Sequence, residues 1–132
     1  MTSKYLSRLA AKGLDYSGVS LSEIHASLID QINAVAALPL DDIDSSSRQI
    51  VDAKARFAAS WAQLEMQQYL THSERGELWS KFADATINSA LNIAWRTVAQ
   101  KHTALLKVAQ EPIQGFFVLG LGKLCGNELN FS

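Results

Sequence analysis

The sequence predicts a mainly helical protein that closes on a short segment of another kind. Two observations carry this. From Leu40 to Glu111 there is no proline and a single glycine, Gly76, whereas Gly115, Gly120, Gly122 and Gly126 crowd the last eighteen residues. Within the glycine-poor stretch, apolar side chains recur at three- and four-residue steps, the period of an amphipathic helix. The joint is Glu111-Pro112-Ile113-Gln114-Gly115, so residues 1–111 read as a helical region and 112–132 as the start of something else.

The elements follow in order. Ser3 to Lys12 places Tyr5, Leu6 and Leu9 on one side of a short helix stopped by Gly13. Ser20-Leu21-Ser22-Glu23 is a capping box, in which a serine hydroxyl and a glutamate satisfy each other's backbone N–H groups. Leu21, Ile24, Leu28, Ile32 and Val35 continue it as a stripe ending before Pro39. Asp41 to Ser47 is a polar connector with several possible N-caps. A helix from Ile50 towards Leu70 is expected next, through Val51, Phe57, Ala58, Trp61 and Leu64. Thr71-His72-Ser73-Glu74 offers a second box-like start, and Gly76 soon after blurs the exact boundary. After it Leu78, Trp79, Phe82, Ala83, Thr86, Ile87, Ala90, Leu91, Ala94, Trp95 and Val98 keep a helical period. Two long helices joined by a short turn pack as an antiparallel hairpin, with Trp61, Trp79 and Trp95 in or near its seam.

Gly115-Phe116-Phe117-Val118-Leu119-Gly120 is continuously apolar and bounded by glycines, the pattern of a strand buried on both faces. Nothing earlier in the chain reads as a ladder partner, so the sequence is expected to break off inside a second domain.

Composition narrows the function classes. The chain has 132 residues, 48% apolar and 19% charged, enough for one core and unlike a disordered tail. Its net charge of -1, with no basic cluster, lacks the footprint of a nucleic-acid binder. The N-terminus carries no apolar run like a signal-peptide core, and no eighteen apolar residues follow one another, so a soluble cytoplasmic protein away from membranes is expected. The lone Cys125 cannot form an internal disulfide and fits a reducing compartment. His25, His72 and His102 lack ligand spacing, and helix capping accounts for Asp41, Asp42 and Asp44, so no metal site is expected from these residues.

A strand running into glycines and a lysine is the general plan of a phosphate cradle. A Walker A loop fails, because Phe117 and Leu124 stand where glycine and Ser or Thr are needed. A dinucleotide fingerprint would need glycine at Cys125. The string Gly120-x-Gly122-Lys123-x-x-Gly126-x-Glu128-Leu129-Asn130-Phe131-Ser132, however, closely resembles the signature of the bifunctional glutamine synthetase adenylyltransferase/adenylyl-removing enzymes. In that family it reads G-x-G-K-x-G-G-x-E-L-N-[FY]-S and continues into S-D-x-D. The Asn130-Phe131-Ser132 ending is similar to the N-terminal, adenylyl-removing copy.

The resemblance implies an incomplete nucleotidyltransferase domain behind a helical bundle. Gly120, Gly122, Lys123, Gly126 and Ser132 would contact nucleotide phosphate. No catalytic residue is assigned, because the metal-holding aspartates would lie beyond Ser132, and the 132 residues alone are expected to be inactive. The complete domain would remove adenylate from a tyrosine of glutamine synthetase by phosphorolysis, with Mg²⁺ and phosphate, releasing ADP. Its sibling domain would use ATP for the reverse, under a PII-type signal protein and glutamine. Cys125 departs from the family's Gly-Gly pair, a strain if that position needs positive φ. Two other readings stand beside this one: a non-enzymatic helical interaction module with a glycine-rich tail, and a truncated dinucleotide-binding protein.

Overall fold

Three helices meet around one core in the computed structural model, which describes residues 16–39, 42–102 and 117–126. They are α1 (Leu21–Ala36), α2 (Ile43–Met66) and α3 (His72–Lys101), running up, down and up. At the start of α1 His25 meets Tyr69, just ahead of α3, with ring centroids 6.2 Å apart. At its end the Val35 carbonyl accepts from Ser89 Oγ at 2.5 Å, so α1 and α3 run parallel. The expected helix at Ser3–Lys12 and the joint at Glu111–Gly115 lie outside the described residues.

α1 follows its sequence signals closely. Ser20 Oγ accepts from the Glu23 N–H and the Glu23 carboxylate accepts from the Ser20 N–H, closing the capping box. Ile24, Leu28 and Val35 are buried, with Leu21 and Ile32 packed beside them.

α2 begins earlier and ends earlier than its apolar period suggests. Asp42 is the N-cap, accepting from the N–H groups of Asp44 (3.0 Å) and Ser45 (2.9 Å). The polar stretch expected as a connector is therefore largely the first turn of the helix, and its serines gave the hydrophobic pattern nothing to register. At the far end the Gln68 N–H bonds the Glu65 carbonyl and the Tyr69 N–H bonds the Leu64 carbonyl, each at 3.1 Å. This is a Schellman stop, and Leu70 lies beyond it.

Gln68 occupies the left-handed position of that stop at φ 49°, a place where glycine is usual. Gln68→Val is expected to cost about 1–2 kcal/mol through the crowded Cβ. Gln68→Gly should be neutral or gain up to about 1 kcal/mol, the relief of strain being partly offset by a freer unfolded chain. Urea unfolding of both variants checks the pair, and equal losses would mean that Gln68 is not strained.

α3 opens on the expected box, Thr71 with Glu74. Its connection to α2 is held from inside by Arg75, which is buried, ion-pairs with Glu65 and donates to the Leu70 carbonyl. The Arg75 carbonyl in turn accepts from Trp61 Nε1 at 2.9 Å.

The seam between α2 and α3 is aromatic. Phe57 stacks on Phe82 with centroids 4.1 Å apart, and Trp79 lies 5.1 Å from Phe57 and 5.7 Å from Trp61. Two of the three expected tryptophans are thus at the core. Trp95 is not in it: it is half-buried, and Val98 is 46% exposed. Beyond Phe82 the buried face of α3 turns through Ala85, Ser89 and Ile93, because the Ser89 hydroxyl reaches the end of α1. The hairpin is also not the whole core, since α1 packs on both of its helices and supplies Ile24, Leu28 and Val35.

Both cap glutamates, Glu23 and Glu74, are held below the ordinary value of 4.5, first by the side-chain hydrogen bond from Ser20 or Thr71 and then by the same residue's backbone N–H. A lowered carboxylate pKa stabilises the folded form above the unfolded value and loses that contribution as pH falls through the folded one. Helicity is therefore expected to fall on acidification below about pH 4.5. The Glu23→Gln/Glu74→Gln double variant, followed by circular dichroism between pH 3 and 7, should show a shallower acid slope. An unchanged slope would remove the caps as its cause.

Candidate functional site

The segment from Phe117 to Gly126 holds most of the residues singled out for phosphate contact. No strand exists among the described residues, so the expected strand is not found over Phe117–Gly120; Gly115 and Phe116 lie outside the described part. The physical reason is the missing ladder: an apolar run cannot be a strand without a neighbour to exchange backbone hydrogen bonds. Phe117, Leu119 and Leu121 stand 83%, 70% and 75% exposed. Covering them would be favourable by roughly 1.5–3 kcal/mol each.

The turn that follows is built by its glycines. Gly122 sits at φ 61°, in the left-handed region, with open space where a Cβ would be. Its carbonyl accepts from the Gly126 N–H at 3.2 Å, closing a turn over Lys123, Leu124 and Cys125. Gly120 precedes it, and a Cβ there would meet the Leu124 side chain at 3.4 Å. Gly122, Lys123 and Gly126 thus come together in one turn with Gly120 just ahead, whereas Ser132 and Glu128 lie outside the described residues. Cys125 does not have positive φ, so the cysteine is accommodated without the backbone strain its place in the motif suggested.

Chemically the turn offers a lysine ammonium on exposed backbone. The Gly126 N–H donates within the turn, and the positive charge of the turn is that of Lys123. Among the described residues no three His, Cys, Asp or Glu side chains gather to hold a metal ion. Asp42 spends its carboxylate on the cap of α2, the capping role expected for this acidic stretch.

Sequence reasoning did not anticipate a polar network between α1 and α2. Ser60, fully buried, shares a 2.7 Å hydrogen bond with the Tyr16 hydroxyl and accepts from Gln31 Nε2 at 3.1 Å. The other Gln31 donor goes to Ser27 Oγ at 3.0 Å. Beside it opens a cleft of about 290 Å³ whose walls include Asp30, Gln49 and Arg56. A second, polar cleft of about 440 Å³ lies at the connection of α2 and α3, lined by Glu65, Tyr69, Glu74 and Arg75. Its Glu65, Glu74 and Arg75 are engaged in the ion pair and cap described above, and the Thr71 hydroxyl donates to the Glu74 carboxylate at 2.7 Å as part of that cap. The signal for the network was a serine and a glutamine interrupting the apolar faces of their helices. No helix among the described residues is long and apolar enough to cross a membrane.

Comparison with known proteins adds the following. The sequence model of the family described as glutamate-ammonia ligase adenylyltransferase matches residues 4–132. A bifunctional glutamine synthetase adenylyltransferase/adenylyl-removing enzyme from Idiomarina loihiensis is 29% identical over 128 residues. That alignment covers 97% of this chain and 13% of the relative, so the chain spans about an eighth of that relative's length. No solved structure matches.

Proposed function

Because the chain belongs to the glutamate-ammonia ligase adenylyltransferase family, we propose that it supplies the helical region and the opening glycine turn of an adenylyl-removing domain. In this reading residues 1–111 are the helical region and 112–132 enter the nucleotidyltransferase domain. The observation that carries it is a family match running unbroken through both parts, with Gly122 held at φ 61° where the motif has glycine.

The reaction is phosphorolysis. A phosphate oxygen attacks the phosphorus that joins AMP to a glutamine synthetase tyrosine; the bond to the tyrosine oxygen breaks, ADP leaves, and the hydroxyl is restored. Lys123 draws phosphate charge toward the turn, while Gly120, Gly122 and Gly126 keep side chains out of the way, with Ser132 as a further contact. Mg²⁺ and nucleotide belong to that chemistry, the metal being held in the family's pattern by the aspartates of its S-D-x-D motif. A PII-type signal protein and a cytoplasmic setting complete the reading. A purely structural helical module is less well supported, because the family match does not stop at the bundle but includes the glycine-rich end. A dinucleotide-binding protein is less well supported as well, because its fingerprint needs glycine where Cys125 stands.

The natural gene product carrying these residues, given adenylylated glutamine synthetase, inorganic phosphate and Mg²⁺, is expected to release ADP. Residues 1–132 by themselves are expected to release none above blank, since they contain no Ser-Asp-x-Asp. Silence from the natural product overturns the activity. Turnover by the 132 residues alone overturns the assignment of catalysis to aspartates outside them.

A further inference from the structure

We draw no further inference here: the strongest candidate, the partly exposed apolar face that Leu91, Trp95 and Val98 form on the C-terminal half of α3, carries nothing because nothing in the structure shows what covers it.

Discussion

Phe57→Ala is expected to cost about 3–5 kcal/mol of stability, the range for emptying a phenylalanine site in a packed core. Phe57 is fully buried at the centre of α2 and faces two rings of α3, Phe82 at 4.1 Å and Trp79 at 5.1 Å. Those rings cannot fall into the vacated space without moving α3, and α3 is pinned at Arg75 by the α2 connection and at Ser89 by α1. The cavity should therefore persist, which puts the loss toward the upper end of that range. Trp95→Ala makes the comparison informative. A reading of the apolar period alone places Trp95 in the same seam and assigns it a similar cost. The structure leaves it half-buried and outside the core cluster, so its truncation should cost less than half as much. Urea unfolding of both variants decides between them. A loss at Phe57 below about 1 kcal/mol, or an equal loss at Trp95, would show that the seam lies elsewhere.

What the sequence made legible was local. Both capping boxes are four-residue patterns complete in themselves, so Ser20–Glu23 located one helix start to the residue, while at Thr71–Glu74 the nearby Gly76 blurred a start that the structure places at His72. The third start was blurred because Asp42 caps a first turn of polar residues, and an apolar period has no purchase on serines. The end of α2 was overrun for a different reason. Its stop uses Gln68 in the left-handed position, and without a glycine there the apolar Leu70 looked like one more turn.

The errors in α3 are tertiary. Its sequence carries two apolar stripes, one through Leu78, Phe82 and Ala85 and one through Ile87, Leu91 and Trp95. Packing on α2 at Phe57 and on α1 at Val35 selects the first. The α1 part rests on a serine, since Ser89 donates to the Val35 carbonyl from a buried position that hydrophobicity alone would have left to solvent. Arg75 is similar: a charged side chain near a helix start reads as surface, yet Glu65 and the Leu70 carbonyl draw it inside. The glycine string gave the turn its residues but not its pairing, because Phe117 to Gly120 satisfy every compositional rule for a buried strand and have no strand beside them among the described residues.

Lys123→Ala is expected to lower ADP release by the natural gene product about 10- to 100-fold, the equivalent of one lost charge-assisted hydrogen bond to phosphate. The loss should appear in the apparent KM for inorganic phosphate or in kcat, while helicity stays unchanged, since the lysine is exposed and lies outside the three helices. Gly122→Ala tests the same turn by another route. The φ of 61° is one that an L side chain occupies at a cost of about 1–2 kcal/mol, although a Cβ would touch nothing. If the working turn keeps this backbone, the strained variant should lose roughly 5- to 30-fold. Cys125→Gly serves as the control. Cysteine there is not at positive φ, so restoring the family's glycine relieves no strain and should leave ADP release within about twofold. The three results are read together. Full activity in Lys123→Ala removes the phosphate contact, and full activity in Gly122→Ala removes the left-handed turn from the working site. A large gain in Cys125→Gly would mean that the active backbone differs at that position from the one described here.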